Sequence, residues 1–301
     1  MFLVSGPRLV IESCKAGIIG GFPTLNCRTL EDLDGWMEQI SEGVAGQPDA
    51  APWLVNIVVH SSNTRIRDDL DLIARYKPTI VSTALGHPGL AIEAVHSYGG
   101  LVFTDVIDLK LAGKAIAAGV DGLILVAAGA GGHTGFYSPF AFVAAIREFF
   151  DGPLIVGGGL SDGAAVAGAI AMGADLVCMG TRFIAANESI ADAEHKRLVL
   201  DGTLEDVVVT SGITGTPVSW LKASLRNAGY DPDNMPAAPA RNYDSNAPAK
   251  KRWKEIFAAG QGLSSIHRTE PVSAIVDKLE AEFVEAILRL RGMTLPAPRQ
   301  M

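Results

Sequence analysis

The chain is short of cysteine, of positive charge and of unbroken apolar sequence, and each shortage removes a class of protein. Its 301 residues include three cysteines, Cys14, Cys27 and Cys178. The number is odd and the spacing fits no metal site, so reduced, buried thiols in a cytoplasmic protein are expected. Lys and Arg number 25 against 33 Asp and Glu, a net charge of −8 with a pI of about 5.3. An acidic surface repels phosphate backbones and anionic headgroups, which argues against nucleic acid or a membrane as the main partner. Residues 122–146 contain no Asp, Glu, Lys or Arg. Gly129, Gly131, Gly132, Gly135, His133 and Pro139 interrupt them, so they make a poor bilayer helix. The opening "MFLVSGPRLVIESCK" has neither the basic start nor the long apolar stretch of a signal peptide.

Hydrophobic residues make up 48% and charged ones 19%, enough for a sizeable core in one large domain or two average ones. Short runs rich in Val, Ile and Leu recur: "AGIIGG" (16–21), "WLVNIVV" (53–59), "TIVSTAL" (79–85), "LVFTDV" (101–106), "GLILVA" (122–127), "LIVGGG" (154–159) and "DLVCMG" (175–180). They lack strict alternation, as strands buried on both faces do. Between them, stretches such as "TLEDLDGWMEQIS" and "IRDDLDLIARY" repeat apolar residues at three and four and read as helices. Strand–helix repeats at this spacing predict an α/β parallel sheet, and favour a (β/α)8 TIM barrel over an open doubly wound sheet. Only seven strands are readable. The first helix, about Pro7 to Lys15, is preceded by "MFLVS" alone, so the first strand is expected to be truncated, leaving a gap or a stub.

Beyond residue 205, "SGITGTPVSW" and "GYDPDNMPAAPARNYDSNAPAKKR" read as irregular excursion. A last helix runs from Pro271 to a stop at Gly292, with Val272, Ile275, Val276, Leu279, Phe283 and Ile287 on one face. The expected organisation is a barrel core over 1–205 and, in the same domain, a segment over 206–301 that covers the barrel mouth and ends in that helix.

Strand ends carry the chemistry of such barrels. "IVGGGLSDG" places Gly157, Gly158 and Gly159 after the seventh strand in barrel order, with Ser161 or Asp162 to cap the next helix. "VCMGTRF" places Gly180 and Thr181 after the eighth. Glycine lets backbone N–H groups approach an anion, and a helix N-terminus adds partial positive charge. These two loops are the expected phosphate site; tight turns for strand–helix packing are the competing reading. After the sixth strand, Gly131 and Gly132 would let a flat ligand lie on the backbone, with His133 beside it as base, acid or hydrogen-bond donor. His60, His87, His96, His195 and His267 read as surface or satisfied core, and no partner spacing suggests a metal.

"GAGGHTG", "VGGGLSDG", "MGTRF" and "WKEIFAAGQG" (253–262), in that order and over nearly the whole length, resemble the nitronate monooxygenase family of FMN-dependent TIM-barrel oxidoreductases. FMN-dependent enoyl-ACP reductases and some NAD(P)H:quinone reductases are similar. The resemblance implies FMN as cofactor, its phosphate held by Gly158, Gly159, Gly180 and Thr181. It implies that Asn56, Gly131, Gly132 and Gln261 bind the flavin and that His133 is the active-site histidine. The opening of the chain also resembles the family's, with Met1 falling on a methionine that ends the first strand. One departure bears on nitronate oxidation more than on the flavin: the common pattern has Gln and Glu where this chain has Val126 and Gly129.

The leading expectation is oxidation of an alkyl nitronate through FMN with dioxygen as acceptor. An alternative reduces an enoyl thioester or quinone with NAD(P)H as donor, and the basic "AKKRWK" at 249–254 could meet the phosphates of a CoA or carrier-protein arm; a solvated face is the competing reading. From another class, a cofactor-free barrel lyase or isomerase would need strand-end carboxylates or a lysine. Asp105 and Lys110 are the candidates, and a helix cap and a surface residue are their alternative readings. A small-molecule substrate is the expected partner; a homo-oligomer is left open.

Overall fold

The apolar runs become strands where the expectation places them, with one shift. The computed structural model describes residues 1–240 and 254–293. Its main sheet comprises β1 (Gly20–Pro23), β2 (Trp53–Val58), β3 (Ile80–Ala84), β4 (Leu101–Val106), β5 (Gly122–Val126), β7 (Leu154–Gly157) and β8 (Leu176–Val177). A short strand, β6 (Gly132–His133), intervenes in sequence but pairs elsewhere. The main strands pair in parallel in the order β1-β2-β3-β4-β5-β7-β8, a TIM-barrel-like α/β fold. The shift concerns β1. Gly17 adopts φ +81° and the Ile18 N–H donates back to the Ser13 carbonyl at 3.1 Å, so the first half of "AGIIGG" is the stop of helix α1 (Pro7–Lys15).

The expected gap is present. Among the described residues no strand joins β8 to β1, and residues 1–4 form a turn, with Val4 and Ser5 N–H donating to the Met1 carbonyl. Asn26 fastens this turn: its side chain accepts the Leu3 N–H at 2.8 Å and donates to the Met1 and Ser5 carbonyls. The Ser5 hydroxyl donates to the Gly21 carbonyl on β1 at 2.7 Å, which covers part of an edge that would otherwise stay open.

Helices alternate with the strands for local reasons. In α2 (Leu30–Val44), Thr29 and Asp32 form a capping box, and Leu33, Met37 and Ile40 are buried at helical spacing. After α3 (Ile66–Tyr76) and α4 (Gly89–His96), α5 (Leu109–Ala118) is capped by Asp108 and stopped by Gly119 at φ +92°. Then follow α6 (Pro139–Arg147) and α7 (Gly163–Ala171), whose cap is Asp162. The short α8 (Thr181–Ile184) leads to α9 (Ala193–Asp201) and α10 (Lys222–Asn227). The last, α11 (Val272–Arg291), packs on α7 and α1 and so occupies the eighth helical position of the ring. A Cβ on Gly163 would meet the Leu279 carbonyl at 2.1 Å, so only glycine allows that helix contact. Among the described residues, no helix is long and apolar enough to cross a membrane.

The irregular reading beyond 205 needs correction. β9 (Val207–Thr210) and β10 (Val218–Leu221) pair antiparallel, and β10 also pairs with β6, giving a second, three-stranded sheet. The β-branched "VVVT" favours this pairing locally, but the partner of β10 lies some 85 residues earlier in the chain, beyond the reach of a local pattern.

Strand alternation fixes which side chains face the barrel interior. Val55, Val81, Val102, Leu123, Leu125, Leu154 and Val156 pack outward with helix residues. Leu54, Ile80, Phe103, Ile124 and Ile155 form a separate inner layer. Two residues further along the strands, at the same inward positions, stand Asn56, Ser82 and Asp105.

Candidate active site

The glycine loops after β5 and β7, Thr181 after β8 and the segment 258–262 meet at one place. The Gly129 carbonyl accepts two N–H groups, from Gly159 at 3.0 Å and from Gln261 at 2.9 Å. The Thr181 hydroxyl, buried, accepts the Gly260 N–H at 2.8 Å. A Cβ on Gly131 would stand 2.6 Å from the Gly260 nitrogen, and one on Gly260 would stand 2.5 Å from the Gly129 carbonyl oxygen. These backbones touch, and no larger residue fits between them.

The strap at 258–262 is fastened from its other side as well. The Ser219 hydroxyl donates to the Ala259 carbonyl at 2.8 Å, and His195 Nε2 bonds the Ala258 carbonyl at 2.9 Å. The His195 ring is stacked on Phe257 at 4.7 Å, and burial lowers its pKa despite that carbonyl contact. His195 is a satisfied core histidine, as its sequence context suggests. The expected Asp162 cap is also present, accepting the Ala165 N–H at 2.7 Å, while the Ser161 hydroxyl pairs with Ser265 at 2.8 Å.

Four glycines of the loops hold left-handed or mirror-region φ: Gly129 at +89°, Gly132 at +70°, Gly158 at +147° and Gly159 at +70°. A Cβ at Gly132 would meet nothing within 4 Å, and one at Gly159 would meet only the Gln261 Cβ, at 4.0 Å. The loops therefore pack tightly against one another on one side and present open backbone on the other, a cradle that a side chain would fill. That arrangement fits a phosphate and a flat ring lying on backbone. The Gly159 N–H is committed to Gly129, so its part is to shape the turn.

Asn56 and His133 approach from other elements. Asn56 lies inside β2, two residues before its end, and its side-chain amide donates to the Ser82 hydroxyl on β3 at 2.9 Å. His133 is half-buried on β6 opposite Val218, next to Gly132 on the rim of the cradle. Thr134 fixes the turn that follows, with its N–H to the Pro217 carbonyl and its hydroxyl to the Ala127 carbonyl. Thus Gly129, Gly131, Gly158, Gly159, Thr181 and Gln261 share a cluster, while Asn56 enters from the far strands. Ala249 to Trp253 of the basic cluster lie outside the described residues.

Two groups named from the sequence stand differently in the structure. Asp105 is not a helix cap; Asp108 fills that role. It faces the interior from β4, and burial raises its pKa to about 7 against the opposing pull of the N-terminal amino group. Cys178, expected to be buried, is exposed; its surroundings still desolvate the thiolate, and burial and then the Asp105 charge push its thiol up. Alternation on β4 was the available signal for Asp105, and a sequence without strand register could not supply it. Lys110 is exposed on α5.

The fold is a TIM-barrel-like α/β fold with a glycine-lined cradle at its strand ends. Residues 35–282 match the family model described as nitronate monooxygenase, and the chain belongs to that family. It is 30% identical to a nitronate monooxygenase of Paraburkholderia phytofirmans over 71% of this chain and 63% of that protein, so it spans just under two thirds of that relative's length. It is 29% identical to an indene-carboxyl-CoA dehydrogenase of Rhodococcus jostii over 86% of this chain and 72% of that one. The solved structure of FabK from Thermotoga maritima superposes with a TM-score of 0.79 at 25% identity, covering 97% of this chain and 93% of that chain.

Proposed function

We propose that this chain is an FMN-dependent oxidoreductase that oxidises an alkyl nitronate with dioxygen. The observation that carries the reading is the cradle of Gly129, Gly131, Gly132, Gly158 and Gly159, closed by the 258–262 strap, with one histidine at its rim. Bound FMN would supply the two-electron acceptor. Backbone at Gly158, Gly180 and Thr181 would hold its phosphate, Asn56 and Gln261 would contact the ring, and Gly131 and Gly132 would let it lie close. His133 would take the α-proton of a neutral nitroalkane, or hold a preformed nitronate oxygen by an N–H.

Ala259, Gly260 and Gly262 of the strap are buried against the loops, and a hydrogen bond to a developing anion made on that side would be strengthened. Gly129 stands where the common family pattern has a carboxylate; a Cβ added here would meet Gln261 Oε1 at 2.9 Å, so Gln261 crowds the place a longer side chain would need. A second reading is supported by the relative from Rhodococcus jostii, whose name places it on a carboxyl-CoA: an enoyl thioester would be the electron acceptor and NAD(P)H the donor, through FMN.

Purified protein carrying about one FMN per chain supports the flavin reading. Anaerobic stopped-flow mixing with propyl-2-nitronate, NADH and NADPH then separates the two. Bleaching of the flavin by the nitronate supports the first, and bleaching only by NAD(P)H overturns it in favour of the second.

A further inference from the structure

Asp105 is a half-buried carboxyl that neither a described hydrogen bond nor a helix cap accounts for. It occupies the penultimate position of β4, where strand ends carry chemistry in this fold. Phe103, two residues earlier, belongs to the inner layer with Ile80, Ile124 and Ile155, while Val102 and Val106 pack outward with the helices. Asp105 therefore points into the barrel. Its electrostatic partners agree: Cys178, just past β8, and the Met1 amino group both feel its charge. In the sheet, β5 and β7 stand between β4 and β8, so the charge of Asp105 acts on Cys178 across the barrel interior and not along one strand pair. The Asn56–Ser82 pair lies at inward positions of β2 and β3, the latter next to β4.

We propose that Asp105 is a further ligand-contacting residue of this site, an interior acid that hydrogen-bonds the bound flavin and exchanges a proton with its surroundings as the flavin's charge changes. The inference rests on the flavin reading above. A carboxyl in the barrel interior is costly when ionised and stable when it keeps its proton beside an anion. Oxidised flavin is neutral in its ring and leaves the carboxyl free to ionise. With a reduced, negatively charged flavin beside it, the carboxyl would take a proton from solvent and donate its O–H toward that charge. Only an O–H bond forms or breaks at Asp105; the electrons pass from substrate to flavin. The groups facing Asp105 are the Cys178 thiol and the Met1 amino group, both themselves shifted by burial.

The first test needs no flavin. Alkylation of Cys178 by iodoacetamide, followed by peptide mass, should speed up several-fold near neutral pH in Asp105→Asn, because the carboxylate no longer opposes the thiolate. Equal rates would show that the two side chains do not share the interior, and would overturn the inference. The second test uses the FMN-loaded protein. Its midpoint potential, measured by dye-coupled reduction, should change slope with pH near neutrality in wild type and in Cys178→Ser, and lose that break in Asp105→Asn. An unchanged profile in Asp105→Asn overturns this inference alone. Protein that takes up no FMN overturns it together with the flavin reading. If Asp105→Asn does not fold, Asp105→Glu serves, with the break displaced along the pH axis; an unmoved break counts against the inference.

Discussion

The buried hydroxyl of Thr181 accepts the Gly260 N–H at 2.8 Å. The residue expected from sequence to hold a phosphate thus also fastens the strap over the cradle. In Thr181→Ala that N–H would stay buried without a partner, a cost of about 1–3 kcal/mol in stability. Thr181→Ser keeps the oxygen and should retain most of it. Urea unfolding of the three proteins checks this; equal midpoints would show that the contact contributes nothing.

Gly131 and Gly159 should fail in different ways. An alanine at 131 would collide with the Gly260 backbone, so Gly131→Ala should displace the strap and lower both the melting temperature and flavin content. Gly159 faces open space but holds φ +70°, which costs a side chain about 1–2 kcal/mol. Gly159→Val should therefore keep the fold and block FMN. Stoichiometric flavin in folded Gly159→Val would remove that loop from the phosphate site.

For His133→Ala the outcome depends on substrate. With a neutral nitroalkane, loss of the base should lower turnover by roughly 10²- to 10⁴-fold. With a preformed nitronate, no proton is removed and the loss should be small. FMN content should stay near wild type. Full activity of the variant on every substrate tried would end the catalytic assignment.

Asp105 also predicts how stability depends on pH. In the unfolded chain its carboxyl ionises in the ordinary range; in the folded chain burial raises this to about 7. Between those limits the folded state holds the extra proton. Asp105 therefore lowers stability as pH rises, by roughly 1.4 kcal/mol per pH unit until ionisation in the fold near neutrality. Asp105→Asn should lack this decline and be the more stable protein at neutral pH. Chemical denaturation of flavin-free wild type and variant at acidic and neutral pH measures it, and parallel pH profiles would count against a buried carboxyl.

Much of the architecture is written locally. Buried parallel strands announce themselves as short β-branched runs, and α3 appears at 66–76 as its apolar spacing predicts, because both signals depend on nearest neighbours. Asp162 as a cap and the glycine clusters as strand-end loops are legible for the same reason. Tertiary structure alone decided the rest. The pairing of β6 with β10, the seating of α11 between α7 and α1, and the strap's hydrogen bonds to Gly129 and Thr181 join segments dozens to more than a hundred residues apart. No periodicity encodes such partners. Whether Asp105 was a surface cap or an interior acid turned on strand register, since a shift of one residue exchanges the two faces of a strand.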